Sequence, residues 1–202
     1  MISAAKIINA LPQDDELQLK SLEKLLRITK KNEKKKLDIA LKALHKLNLI
    51  SINSSNCIRL NSQNTAITGR IRCSSKGYCF AVRENGEDDI YIRDQHLNKA
   101  WHGDLVLVKI TKEGIKRRSP EGVIQCILER NTESLLSLIT QSGSKLIAKP
   151  LDDRLLSEIE LLPNDKNYID NDQEQNIVEV KVNRYPIAQL EAQGEVLRKL
   201  PI

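Results

Sequence analysis

Apolar residues near the start of the chain recur at helical spacing. Leu17, Leu19, Leu22, Leu25, Leu26 and Ile28 fall mostly three or four apart, which predicts an amphipathic helix over 17–28. Pro12, Gln13, Asp14 and Asp15 precede it as a helix-start cluster, with acid near the positive end of the helix dipole. A second stripe, Leu37, Ala40, Leu41, Leu44 and Leu47, predicts a helix over 34–47, with Asn32 as its cap. The pattern then shortens. Residues 49–52 and 57–60 are apolar runs flanking the turn cluster Asn53-Ser54-Ser55-Asn56, as in a β-hairpin. Helix, helix, hairpin is the order of a winged-helix domain, here assigned to residues 1–66.

From Ile67 onward the period falls to two, the alternation of a strand with one buried face. Strands are predicted over 68–73, 77–82, 89–93, 105–111 and 121–129, with an Asn85-Gly86 hairpin signal, a longer connection through 97–102 and a basic loop at 116–120. Five short strands with one long connection predict an oligonucleotide/oligosaccharide-binding (OB) barrel over 67–131. Residues 132–202 repeat the theme more weakly, with strands over 138–141, 145–150, 159–162, 177–182 and 194–197 and a polar, acidic loop over 165–175. Gly122 and Gly194 both open a late strand of their unit. The expected fold class is therefore multidomain, α+β then all-β: a helical winged-helix domain followed by two small OB-fold, cold-shock-like β-barrels.

Charge adds a direction to this layout. The net +5 divides into +6 for residues 1–66 (12 Lys and Arg against 6 Asp and Glu), +3 for 67–130 (12 against 9) and −4 for 131–202 (8 against 12). A basic front suits a polyanion, because lysine and arginine near phosphates release condensed counterions; it also suits plain solubility. The lysine run Lys30, Lys31, Lys34, Lys35, Lys36 lies at the start of the second long helix, where a recognition helix meets nucleic acid, or forms a solvated face. No apolar run reaches the ~18–20 residues of a membrane span, and the first residues are too weakly apolar for a signal peptide. The four cysteines (Cys57, Cys73, Cys79, Cys126) have neither C-x-x-C nor zinc-ligand spacing, so they are expected as free thiols in a reducing cytoplasm. Neither His45, His96 and His102 nor any acidic group forms a catalytic or metal-ligating pattern; the expected catalytic and metal sites are none.

Aromatics make up only 3% of the chain, so each one's position carries information. Tyr78 and Phe80 are two apart and share one face of a strand, and Tyr91 can join that face from the neighbouring strand. With Arg70, Arg72, Lys76 and Arg93 nearby, the set fits single-stranded RNA: bases stack on rings while cations hold phosphates. The same residues also fit a half-buried β-face with ordinary cross-strand pairs.

Residues 76–82 (Lys-Gly-Tyr-Cys-Phe-Ala-Val) resemble the first RNA-binding motif of cold-shock domains, and 89–92 (Asp-Ile-Tyr-Ile) the second. The run 97–108, with its His102-Gly103-Asp104 step, together with 121–124 and 128–130, resembles the first cold-shock domain of ribonuclease R / ribonuclease II 3′-to-5′ exoribonucleases. Residues 149–154, 177–180 and 194–197 resemble that family's second cold-shock domain. Cys79 stands where the motif usually has Gly, Arg93 where many members have His, and the second barrel lacks a ring pair. The resemblance implies an RNA funnel in front of a magnesium-dependent catalytic domain. No aspartate cluster of that kind is recognisable here. Asp152-Asp153 and Asp170, Asp172 are the late acidic candidates, read as surface acidity, and the chain stops about where the catalytic domain would begin. The expectation is RNA binding and substrate feeding by Tyr78, Phe80, Tyr91, Arg70, Arg72, Lys76 and Arg93, with no cofactor in this chain, single-stranded RNA as partner, a catalytic exoribonuclease domain or subunit as a second partner, no membrane, and a cytoplasmic location. Two other readings stay open: a free-standing RNA-binding regulator or chaperone with no enzymatic activity, and a protein-docking module whose rings are buried.

Overall fold

The structure, a computed structural model, describes residues 3–61, 67–83, 86–115, 118–163, 165 and 176–200. The expected Asn-Gly turn at Asn85, the basic loop at Lys116 and Arg117, the domain boundary at Ala66, and Tyr168, Asp170 and Asp172 lie outside the described residues.

The first unit runs α1 (Ala4–Ala10), β1 (Leu17–Gln18), α2 (Leu19–Leu25), α3 (Lys31–Lys46), β2 (Ile50–Ile52) and β3 (Cys57–Leu60), with the strands ordered β1-β3-β2. This order accords with the winged-helix expectation and adds two elements to it. Helix α1 was not expected. Leu17 and Gln18 pair with Ile58 and Cys57 instead of opening a helix. Asn32 is not the cap of α3: it lies within the helix, and Lys30 is the cap residue, its backbone N–H donating to the Glu33 carboxylate at 3.3 Å. Leu37, Leu41 and Leu44 of the expected stripe are buried in this unit's core.

The two units that follow are closed five-stranded barrels. The first consists of β4 (Ile67–Cys73), β5 (Cys79–Val82), β6 (Ile90–Ile92), β7 (Leu105–Lys112) and β8 (Glu121–Glu129), in the closed order β4-β5-β6-β8-β7. The second consists of β9 (Ser134–Ser142), β10 (Lys145–Pro150), β11 (Ile159–Leu161), β12 (Ile177–Arg184) and β13 (Ala192–Lys199), in the order β10-β11-β13-β12-β9. The connectivity is the same in both, and each barrel closes through one parallel pairing, β6 with β8 and β11 with β13. The two glycines noted in the sequence sit at these closures: a Cβ on Gly122 would stand 2.6 Å from Val108 Cγ1, and one on Gly194 2.7 Å from Lys181 O. Among the described residues, no helix is long and apolar enough to cross a membrane.

Packing between units decides which barrel surface stays open. Leu107 and Leu128 lie on strands β7 and β8 of the first barrel, yet both are buried in the core of the helical unit, with Leu105 and Cys126 packed beside them. Burying a leucine is worth roughly 1.5–3 kcal/mol, so this seam is a substantial joint. It covers the β7–β8 side of the barrel, whereas among the described residues the outward side chains of β4, β5 and β6 belong to no core of the other two units.

The joint between barrels is built by the long connection before β7. Trp101, 4% exposed, packs into the core of the second barrel, its ring edge-on to Tyr185 at 5.3 Å. Asp104, fully buried, accepts from the backbone N–H of Trp101 (2.8 Å) and of Asn131 (3.0 Å) and from Arg130 Nη1 (2.9 Å). The Arg130 guanidinium lies over the Tyr185 ring at 4.5 Å, a cation–π contact. The Tyr185 hydroxyl donates to Thr132 O at 2.6 Å. Gly103 precedes Asp104 with φ +89, a conformation that favours glycine, and an added Cβ would meet Asn131 Nδ2 at 2.5 Å.

One expectation is overturned here. Cys73 and Cys79 are joined by a disulfide. They face each other directly in the β4–β5 register, with Cα atoms 4.1 Å apart, so the pleat brings both sulfurs to the same side. Spacing alone hid this, because it depends on which residues the hairpin sets opposite each other. Cys57 and Cys126 are free thiols, as expected.

Candidate nucleic-acid interface

Alternation along β4 sends Ile71 and Cys73 into the barrel core and Arg70 and Arg72 outward. On β5, Cys79 and Ala81 point inward, which leaves Phe80 on the outer face, and on β6 Tyr91 does the same between buried Ile90 and Ile92. The register then lines these residues up across the sheet: Arg72 opposite Phe80, Phe80 opposite Tyr91, and Tyr91 opposite Glu121. The Phe80 and Tyr91 rings are 5.3 Å apart, tilted by 52°. Both are half-buried.

Tyr78 stands at the edge of this row. The tight turn from Ser74 to Tyr78 places it, with Ser74 N–H donating to Tyr78 O (2.9 Å), Gly77 N–H to Ser74 O (3.0 Å) and Tyr78 N–H to Ser74 Oγ (3.2 Å). Gly77 takes φ +81 in that turn, and the Cys73–Cys79 disulfide closes its base. The Tyr78 ring is held out into solvent, 56% exposed, and Lys76 is exposed beside it. A ring that open contributes little to a core, so the buried-ring premise of the docking-module reading fails for Tyr78.

The four expected cations differ in availability. Among the described residues, Arg72 and Lys76 carry no ion pair. Arg70 Nη1 donates to Gly103 O at 2.7 Å, which ties the strand to the inter-barrel joint. Arg93 donates through Nε (3.1 Å) and Nη2 (2.7 Å) to one oxygen of Glu121. Lys112 approaches the other Glu121 oxygen at 3.7 Å. The single carboxylate in the row is thereby neutralised from two sides.

Two groups that were not expected as RNA contacts adjoin the same face. His102 Nδ1 accepts the Cys73 backbone N–H at 3.0 Å. Burial holds the imidazole below its ordinary proton affinity; the positive charges of Arg154 and Arg72 add to this, while Asp152 works against it. Arg154 belongs to the second barrel and is gripped by Asp152, Nε to Oδ1 and Nη2 to Oδ2, both at 2.8 Å. That hydrogen-bonded pairing holds the Asp152 carboxyl below the usual carboxylate range. Among the described residues, no three His, Cys, Asp or Glu side chains converge as metal ligands.

Comparison with known proteins places these features in context. Residues 5–61 match the model of the cyanobacterial RNase R N-terminal domain, and residues 69–127 match that of the ribonuclease B OB domain. The chain is 39% identical over 199 residues to the acetazolamide conferring resistance protein zam of Synechocystis sp., covering 98% of this chain and 25% of that protein. It is 26% identical over 148 residues to ribonuclease R of Buchnera aphidicola subsp. Schizaphis graminum, covering 73% of this chain and 20% of that one. Among solved structures, yeast Ssd1, a pseudonuclease, superposes with a TM-score of 0.55 at 16% identity, over 76% of this chain and 25% of that one. The apo form of Mycoplasma genitalium RNase R gives 0.52 at 16% identity, over 66% and 21%. The chain thus spans about a quarter or less of the length of these relatives.

Proposed function

From the premise that this chain is a ribonuclease R-like N-terminal part, with an RNase R-type leading domain followed by an OB barrel of the ribonuclease B kind, we propose that it binds single-stranded RNA on the β4–β5–β6 face and feeds the strand to a 3′-to-5′ exoribonuclease active site. The observation that carries this reading is the open ring row. Arg72, Phe80 and Tyr91 stand side by side across three strands, and Tyr78 projects at their edge. Unpaired bases stack on Tyr78, Phe80 and Tyr91, each stack worth about 1–3 kcal/mol and tolerant of sequence. Arg72 and Lys76 hold phosphates directly, while Arg70 and Arg93 reach them with the donors their protein partners leave free. A duplex keeps its bases stacked on one another and offers these rings nothing, so the face selects single strands.

The test is fluorescence anisotropy with labelled oligo-U against a duplex of equal length. Single strands should bind at least about tenfold more tightly, the equivalent of ~1.4 kcal/mol, or one good stack. Equal affinity for the two contradicts the reading. A free-standing RNA-binding regulator would use the same rings and cations; coding sequence running on into an aspartate-rich domain separates the feeding role from that alternative.

A further inference from the structure

We propose that RNA leaving the ring row crosses onto the second barrel over a phosphate site built by Arg72, His102 and Arg154. The proposal rests on the ring row being the RNA face and extends it across the joint. Arg72 is the outward residue of β4 beside Phe80. His102 abuts the next residue of that strand through the Cys73 N–H. Because that contact makes Nδ1 an acceptor, neutral His102 carries its proton on Nε2, which leaves one N–H to donate. Arg154 comes from the turn that follows β10, side chain 50% exposed, with two donors fixed by Asp152. Its remaining N–H groups are oriented without a further loss of side-chain freedom, which suits a phosphate oxygen. His102 and Arg154 line one cleft of about 420 Å³, together with Cys73, Lys99 and Trp101.

The charges around the imidazole set its behaviour. Arg72 and Arg154 are positive and Asp152 is negative, and Lys99 and Asp94, of opposite charge, also line the cleft. Without RNA the two guanidinium groups disfavour a third positive charge. Neutral His102 already carries the Nε2–H and donates it to a phosphate oxygen, while Nδ1 keeps the Cys73 N–H. Protonation would have to fill Nδ1 and break the Cys73 contact, so the phosphate contact needs no proton uptake and does not tighten as pH falls through the range in which histidine titrates. The division of labour also explains why the second barrel can guide RNA without a ring pair: it contributes a backbone contact instead of a stack.

The experiment uses the whole chain and fluorescence anisotropy with oligo-U of about 4 and about 12 nucleotides, at about pH 6 and about pH 7.5. For the longer strand, lowering the pH should not tighten binding, and His102→Ala, which removes the Nε2–H, should weaken it several-fold at about pH 7.5. Arg154→Ala should weaken the longer strand about three- to tenfold and reduce the salt slope by about one, leaving the shorter strand unchanged. Tyr78→Ala should weaken both lengths. Thermal melts confirm folding, and Arg154→Lys, which keeps the charge but not the fork, should restore only part of the loss. If Tyr78→Ala weakens binding while Arg154→Ala and His102→Ala behave as wild type, the crossing is wrong and the ring row stands. If Tyr78→Ala changes nothing at either length, the ring row itself is wrong and the crossing falls with it.

Discussion

At the scale of single residues, two kinds of side chain matter: those the pleat turns outward and those the joint holds fixed. The outward set was legible, because alternation fixes the facing of Arg70, Arg72, Phe80 and Tyr91 once a strand is placed. Asp104, Trp101 and His102 were not, since their partners lie on other units and only the fold supplies them. Gly103→Ala should destabilise the chain by roughly 1–3 kcal/mol in a denaturant melt, because the left-handed backbone and the Asn131 side chain both oppose a Cβ. His102 gives a pH signature. Its folded proton affinity lies below that of the unfolded chain, so its contribution is fully present above the unfolded value near 6.5 and is lost as pH falls through the folded one. Without RNA, melting midpoints should drop below about pH 6.5, and His102→Gln should flatten part of that drop.

At the scale of elements, the strands were largely readable and their pairings were not. Strand β8 and strand β10 match the predicted bounds in full, whereas β9 starts four residues earlier than its apolar run, at Ser134. Helix α1 was missed because its neighbour is β8, more than a hundred positions away, and no local pattern records that contact. The disulfide belongs here as well: it staples the hairpin whose turn presents Tyr78. Reducing it, or changing Cys73 and Cys79 to Ser, should lower stability by about 2 kcal/mol, the loop-closure value for so short a ring. Comparing melts with and without reductant checks this, with the double Ser variant insensitive to the reductant.

At the scale of the whole molecule, the helical unit and the second barrel hold the first barrel by its β7–β8 side and by Trp101. What remains open is the β4–β5–β6 face and its continuation toward Arg154. Trp101→Ala would empty the middle of the inter-barrel seam; a loss of roughly 3–5 kcal/mol should show as an earlier unfolding step of the second barrel. The positive charge toward the front of the chain adds long-range attraction. RNA affinity should fall log-linearly with salt, and the slope should report the number of phosphates engaged.

The most direct measurement is the affinity of the Tyr78→Ala/Phe80→Ala double variant for oligo-U, read by fluorescence anisotropy beside a thermal melt. Open rings that stack bases predict a loss of about 2–6 kcal/mol in binding in a variant that still melts cooperatively, any drop in midpoint coming from Phe80, half-buried beside Tyr91, and little from Tyr78, which lies mostly in solvent. Unchanged affinity in a folded double variant would contradict the account.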